Sequence, residues 1–240
     1  MSIAAARDRL FVALDTPSVD AARGLVARLG DEVSCYKVGL ELLFGGGLAF
    51  AGDLKQAGKT LFLDMKLLDI ANTVEKATAN VARLGVDYLT VHGTDRKTLD
   101  AAVKGRGAAR LKLLAVTVLT SLDTADLAEQ GINGRSAADL VVHRARLAKA
   151  SGFDGVIASG QEAASVRAAV GPGFLIVTPG IRMAGGDVAD QARVTTPESA
   201  IAAGATHLVV GRPITGAADP AAAARAVVTA ITTAPRAASS

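Results

Sequence analysis

Short apolar runs recur along this chain, and between them apolar residues return at helical spacing. Arg9–Asp15 reads as a first strand, closed by Thr16-Pro17. Ser18 then caps a helix to about Leu29, with Val19, Ala22, Leu25, Val26 and Leu29 on one face. Ser34–Leu40 is a second strand, and Gly45-Gly46-Gly47 breaks the chain before a helix over about Leu48–Ala57. A third strand begins at Leu61, followed by a helix over about Thr73–Leu84 for which Asn72 and Glu75 have capping-box spacing. Tyr88–His92 is strand four, with a helix over about Arg96–Ala109 behind it.

The second half repeats the pattern with one insertion. Lys112–Thr120 is strand five, followed by a short helix near Thr124–Gln130 and a longer one over about Ala137–Ala150. Gly155–Ser159, Phe174–Thr178 and His207–Pro213 are strands six to eight, with helices over about Gln161–Val170, Pro197–Ala203 and Pro220–Ala230. Eight strands alternating with helices, with no break in composition, predict one closed (β/α)8 (TIM) barrel domain over residues 1–240. The segment from about Pro235 to Ser240 is expected to fray. An open doubly wound sheet is the alternative, but no G-x-G-x-x-G follows strand one to favour it.

Composition narrows the function classes. Half of the 240 residues are apolar, enough for one large core. A net charge of +3, with 26 basic residues scattered among 23 acidic ones, argues against a nucleic-acid partner. Aromatics are 3% and Trp is absent, so a stacking platform is missing as well. One cysteine, Cys35, leaves no disulfide and no cysteine-based zinc site. The N-terminus lacks a secretory pattern and no apolar run is long enough for a membrane span, which predicts a cytoplasmic protein without a membrane partner.

Charge then falls where an apolar strand should carry none. Strand three ends in Asp64 and Lys66, with Asp69 just beyond. Period-two alternation puts Asp64 and Lys66 on one face, with Leu63 and Met65 on the other. A buried pair of this kind is either a structural ion pair or part of a site. Asp15, Lys37, His92, Thr120, Arg182 and Arg212 also fall at strand ends, and barrel active sites are built at that rim. Gly180-Ile181-Arg182 and Gly211-Arg212 suit a phosphate grip on strands seven and eight; the alternative makes them turns with solvated arginines. Lys37 and Lys66 would oppose a divalent cation among these carboxylates, and the three histidines lack metal-ligand spacing. His143 and His207 are read as structural, and His92 as a rim residue.

These residues resemble a known family. Asp64-x-Lys66-x-x-Asp69-Ile70-Ala71-Asn72-Thr73 is similar to the signature of the orotidine 5′-phosphate decarboxylases. Ala13-Leu14-Asp15, Lys37-Val38-Gly39, Pro179-Gly180-Ile181-Arg182, Asp190-Gln191 and Val210-Gly211-Arg212-Pro213-Ile214 match in the same order. Ala71 departs from the family's usual proline, and Ala192 precedes the basic Arg193 where a basic residue often follows the glutamine directly. The D-x-K-x-x-D core is shared with sugar-phosphate lyases and epimerases that use Mg2+, which remain the rival reading. The resemblance implies conversion of orotidine 5′-phosphate to UMP without metal or cofactor. It assigns Asp64 to stress the substrate carboxylate, Lys66 to protonate C6, and Lys37 and Asp69 to complete the charge array. It implies that Asp15 and Lys37 hold ribose, Thr120 the pyrimidine, and Arg182, Gln191, Gly211 and Arg212 the phosphate, under a Met183–Asp190 lid. Asp69, Ile70 and Thr73 are implied to reach into the partner subunit's site of an obligate homodimer.

Overall fold

The structure, a computed structural model, describes residues 1–183 and 195–235. Eight parallel strands close on themselves in sequence order: β1 Leu10–Ala13, β2 Cys35–Gly39, β3 Thr60–Leu67, β4 Tyr88–His92, β5 Lys112–Val116, β6 Gly155–Ile157, β7 Leu175–Thr178 and β8 His207–Val210. β1 pairs with both β2 and β8, which completes the (β/α)8 barrel. Helices surround it, and Leu10 and Val12 of β1, with Leu14 just beyond it, join Ala22, Leu25 and Leu29 of the first long helix in the outer core. The opposite parity of the strands points inward. Phe11, Ala13, Cys35, Phe62, Tyr88, Leu114, Val177 and Val209 form a second, inner cluster.

That inner parity positions the site. Following it along four neighbouring strands gives Phe11, Ala13, Asp15; Cys35, Lys37, Gly39; Phe62, Asp64, Lys66; and Tyr88, Thr90, His92. The series start with Phe11, Cys35, Phe62 and Tyr88 at the barrel floor and bring in Asp15, Lys37, Asp64, Lys66, Thr90 and His92 toward the C-terminal mouth. The floor is aromatic: Phe11 lies edge-on to Phe62 and Tyr88 with ring centroids 5.3 and 5.1 Å apart, and His207 lies 5.6 Å from Phe11. Such contacts fill the barrel and exclude water from its lower half.

Several elements differ from the sequence expectation. A short helix, Ile3–Arg7, precedes β1 and buries Ala6. A helical turn at Leu40–Leu42 leads into a wide turn over Leu43–Gly47, and the glycines break the run there as expected: Gly46 takes a non-helical φ of +90° before the next helix, Leu48–Gln56. Gly47 has no room for a side chain, because a Cβ there would lie 2.6 Å from the Leu42 carbonyl oxygen. The helix after β3 spans Ala71–Arg83 with Ile70 at its N-cap and no side-chain cap, so Asn72 sits inside the first turn and the Asn72/Glu75 capping box does not form. β1, β5 and β8 are shorter than expected. Asp15 and Thr120 therefore lie on loops beyond their strands, and Arg212 opens a short helix, Arg212–Thr215. The last helix continues to Thr233.

Candidate active site

β3 carries the centre of the mouth. Its pairing with β4 runs Phe62 to Tyr88 and Leu63 to Leu89, then resumes at Leu67 with Val91. Four steps on β3 oppose two on β4, so Asp64, Met65 and Lys66 form a bulge. Lys66 is the only non-glycine residue with a positive φ, +50°, among the described residues. For a lysine this conformation costs on the order of 1–3 kcal/mol, and such strain clusters at functional sites. Two hydrogen bonds hold it. The Lys66 N–H donates to Thr90 Oγ1 at 2.9 Å, and the Thr90 hydroxyl donates to Asp64 Oδ1 at 2.8 Å.

Four charges then alternate. Asp15 Oδ1 lies 3.0 Å from Lys37 Nζ, Lys37 Nζ lies 3.3 Å from Asp64 Oδ2, and Asp64 Oδ1 lies 2.9 Å from Lys66 Nζ. The Asp64 side chain is 14% exposed and that of Lys66 33%, so the ammonium at the end of the row is the one open to the cavity. Burial pushes the Asp64 carboxyl up, but Lys37, Lys66 and the Thr90 hydroxyl outweigh it and hold Asp64 below the ordinary aspartate value. Burial likewise pushes Lys37 down, and Asp64 followed by Asp15 reverses this and raises it. His92 is lowered by burial and by the nearby Arg144 and Lys66 charges. Gly39 makes the Asp15–Lys37 contact possible: a Cβ there would lie 2.9 Å from Lys37 Nζ and 3.0 Å from Asp15 Oδ1.

The row faces a cavity of about 590 Å3. Asp15, Lys37, Asp64, Lys66, Thr120, Arg182, Gly211 and Arg212 line it, so eight residues picked out in the sequence meet there. Apolar walls come from Val116, Val118, Leu119, Ile157 and Val209, and Glu41 and Thr215 join the rim. The guanidinium of Arg182 is buried, and its Nη1 donates to the Ile181 carbonyl at 3.0 Å. Gly180, with φ +76°, makes the turn that brings it there. Asp69, Ile70 and Thr73 are not part of this cavity; all three are exposed, and Asp69 Oδ1 accepts from the Ile70 N–H at 2.6 Å. Gln191 and the Met183–Asp190 lid beyond Met183 lie outside the described residues. Sequence reasoning missed Thr90 and the steric role of Gly39. The alternation Tyr88, Thr90, His92 against Leu89, Val91 was the available signal for the first. Among the described residues no group of three or more His, Cys, Asp or Glu side chains could hold a metal ion, and no helix is long and apolar enough to cross a membrane.

A closed (β/α)8 barrel whose mouth joins a row of alternating charges to two arginines defines an enzyme for a small anionic substrate. Comparison with known proteins makes this specific. Residues 8–227 match the model of the orotidine 5′-phosphate decarboxylase / HUMPS family. Orotidine 5′-phosphate decarboxylase of Rhodopseudomonas palustris strain BisA53 is 55% identical over 223 residues, covering 93% of this chain and 94% of its own. That of Methylorubrum populi is 55% identical over 222 residues, covering 92% and 94%. The crystal structure of orotidine 5′-phosphate decarboxylase from Lactobacillus acidophilus superposes with a TM-score of 0.81 at 37% identity, covering 93% of this chain and 99% of that one. The chain belongs to the orotidine 5′-phosphate decarboxylase / HUMPS family.

Proposed function

We propose that this protein decarboxylates orotidine 5′-phosphate to UMP, the last step of de novo UMP synthesis, as a cytoplasmic enzyme that uses neither metal nor organic cofactor. Family membership and relatives of that name at 55% identity support the reaction. The observation that carries the chemistry is Asp64, paired with Lys37 through one oxygen and Lys66 through the other at the cavity wall. Both of its oxygens already face an ammonium group, which leaves no open carboxylate edge for the Mg2+ of a sugar-phosphate lyase.

A substrate carboxylate placed beside Asp64 meets a carboxylate whose pKa Lys37 and Lys66 hold below the ordinary aspartate value. Loss of CO2 removes that repulsion. The electron pair of the broken bond stays on C6, beside the Lys66 ammonium, which stabilises it and then donates its proton there. Asp15 and Lys37 hold the ribose, Thr120 the pyrimidine edge, and Arg182, Gln191, Gly211 and Arg212 the phosphate.

The working unit on this reading is a homodimer of two 240-residue barrels with composite sites. Asp69, Ile70 and Thr73 point away from their own cavity and serve the partner's. Exposed apolar side chains support that face as the interface: Phe44 is 85% and Ile70 72% exposed, with Leu40, Leu48 and Leu68 also exposed after β2 and β3.

Orotidine 5′-phosphate in excess EDTA is the deciding assay. The reading requires loss of the orotate absorbance and formation of UMP; an unchanged spectrum, or turnover that needs added Mg2+, overturns it. Composite sites predict that inactive Lys66→Ala and Asp69→Ala chains, mixed and re-associated, regain activity, since one site of the mixed dimer has both residues intact. Sedimentation as a monomer at working concentration would refute the dimer.

A further inference from the structure

Thr90 is fully buried on the inner face of β4, opposite the three bulged residues of β3. A threonine in that place is ordinarily a β-branched filler, and valine would fill the same volume. Burial does not by itself give a threonine hydroxyl a partner here: Thr78 Oγ1 and Thr178 Oγ1 are also buried and have none among the described residues. Thr90 Oγ1 has two, and both belong to the charged pair. It accepts from the Lys66 N–H at 2.9 Å, which the bulge has taken out of the strand ladder, and it donates to Asp64 Oδ1 at 2.8 Å. Lys66 Nζ lies 2.9 Å from that same oxygen. Main chain of Lys66, threonine hydroxyl, carboxylate and Lys66 ammonium thus form one closed ring of contacts.

We propose that Thr90 is a positioning residue for the Asp64–Lys66 pair, its hydroxyl holding the left-handed backbone of Lys66 and fixing the orientation of Asp64 at once. The role rests on the decarboxylase reading for what the pair does, but not for how it is held. Without the hydroxyl the Lys66 N–H loses its partner, the bulge relaxes, and the ammonium moves relative to a substrate carbon it must protonate. The hydroxyl also favours the ionised carboxylate, so its loss raises the Asp64 pKa.

Thr90→Val keeps the shape and removes the hydroxyl; Thr90→Ser keeps the hydroxyl. Thr90→Val is expected to lower kcat roughly ten- to hundred-fold with KM changed less than about three-fold, because a displaced catalytic group acts on the chemical step. The acidic limb of its kcat profile should move to higher pH, and Thr90→Ser should restore most of the rate. A carbon-13 NMR titration of the Asp64 carboxyl, assigned by its absence in Asp64→Asn, should show an upward shift in Thr90→Val and little change in Thr90→Ser. Wild-type kcat and an unmoved Asp64 titration in folded Thr90→Val overturn the proposal. So does Thr90→Ser behaving as badly as Thr90→Val in both. If wild type leaves orotidine 5′-phosphate intact, the functional reading fails while the NMR titration still decides the role of Thr90. A Thr90→Val chain that does not fold passes the decision to the rate and titration of Thr90→Ser against Thr90→Ala.

Discussion

At the floor of the barrel Asp87 and Asp154 each hold one cation and one strand N–H. Asp87 Oδ2 accepts from the Leu61 N–H at 2.7 Å and pairs with Lys55 at 2.6 Å. Two strands on, Asp154 Oδ2 accepts from the Leu113 N–H at 2.8 Å and pairs with Arg106 at 2.8 Å. Two strands further, Thr206 Oγ1 accepts from the Ile176 N–H at 2.9 Å. The mouth is arranged differently. Two carboxylates and two ammonium groups crowd into one row beside an open cavity, on backbone that includes a left-handed lysine. Local, repeated, one-to-one pairing stabilises the closed sheet. A crowded row with an exposed end stores interaction energy that a bound anion can disturb. One barrel therefore keeps its folding contacts and its chemistry at opposite ends.

The contrast can be broken from either side. The largest effect is expected from Lys66→Ala at the mouth, with decarboxylation falling by at least about 1,000-fold, or about 4 kcal/mol of transition-state stabilisation. Its thermal unfolding should stay near wild type, and a large loss of stability measured by calorimetry would erase the division between the two ends.

Next comes His207 at the floor. Burial, with Arg9 and Lys112 nearby, pushes its pKa down to about 4 from an ordinary 6.5. The folded protein thus keeps His207 neutral where the unfolded chain binds a proton. Its stabilising share is present above pH 6.5 and is lost as pH falls toward 4, about 3 kcal/mol in all. Urea melts between those pH values measure this slope. His207→Phe should flatten it, and an unchanged slope would remove His207 as its source.

Gly39→Ala tests how tightly the mouth is built. Its Cβ would press on Lys37 Nζ and Asp15, and a displacement of that kind should lower kcat/KM about 100-fold. Steady-state kinetics showing less than a few-fold change would mean that the row tolerates movement. The smallest effect is expected from Asp154→Ala at the floor. It removes the acceptor of the Leu113 N–H and leaves Arg106 with the Gly152 carbonyl alone, and should cost about 2 kcal/mol of stability, read by urea unfolding. The specific activity of the folded enzyme should not change, and a fall in kcat there would show the two ends to be coupled.

Much of this was legible in the sequence because it is local. Period-two and helical spacing marked the eight strands, and Asp64-x-Lys66-x-x-Asp69 stood out because charge interrupts an apolar strand. Eight of the residues singled out in this way meet at one cavity. The glycine triplet reads as a break for the same local reason, and Gly46, at φ +90°, interrupts the helical backbone there. Asn72 was the miss: it has the spacing of a cap, but the helix starts at Ala71, two residues before the expected Thr73, and takes Ile70 as its N-cap.

By itself the sequence determined the alternating array, the inward parity of each strand and the residue types that reach the mouth. These depend on neighbours one to four positions apart. Only the tertiary structure decided that Thr90 closes on Asp64 and Lys66, that Gly39 leaves room for Lys37 against Asp15, and that Asp87 and Asp154 each serve the strand before their own. It also left Asp69 exposed and outside the cavity that Asp64 lines. Those contacts join residues more than 20 positions apart, and their distances are set by strand register, a bulge and the closing of the sheet. No local pattern of polarity encodes them.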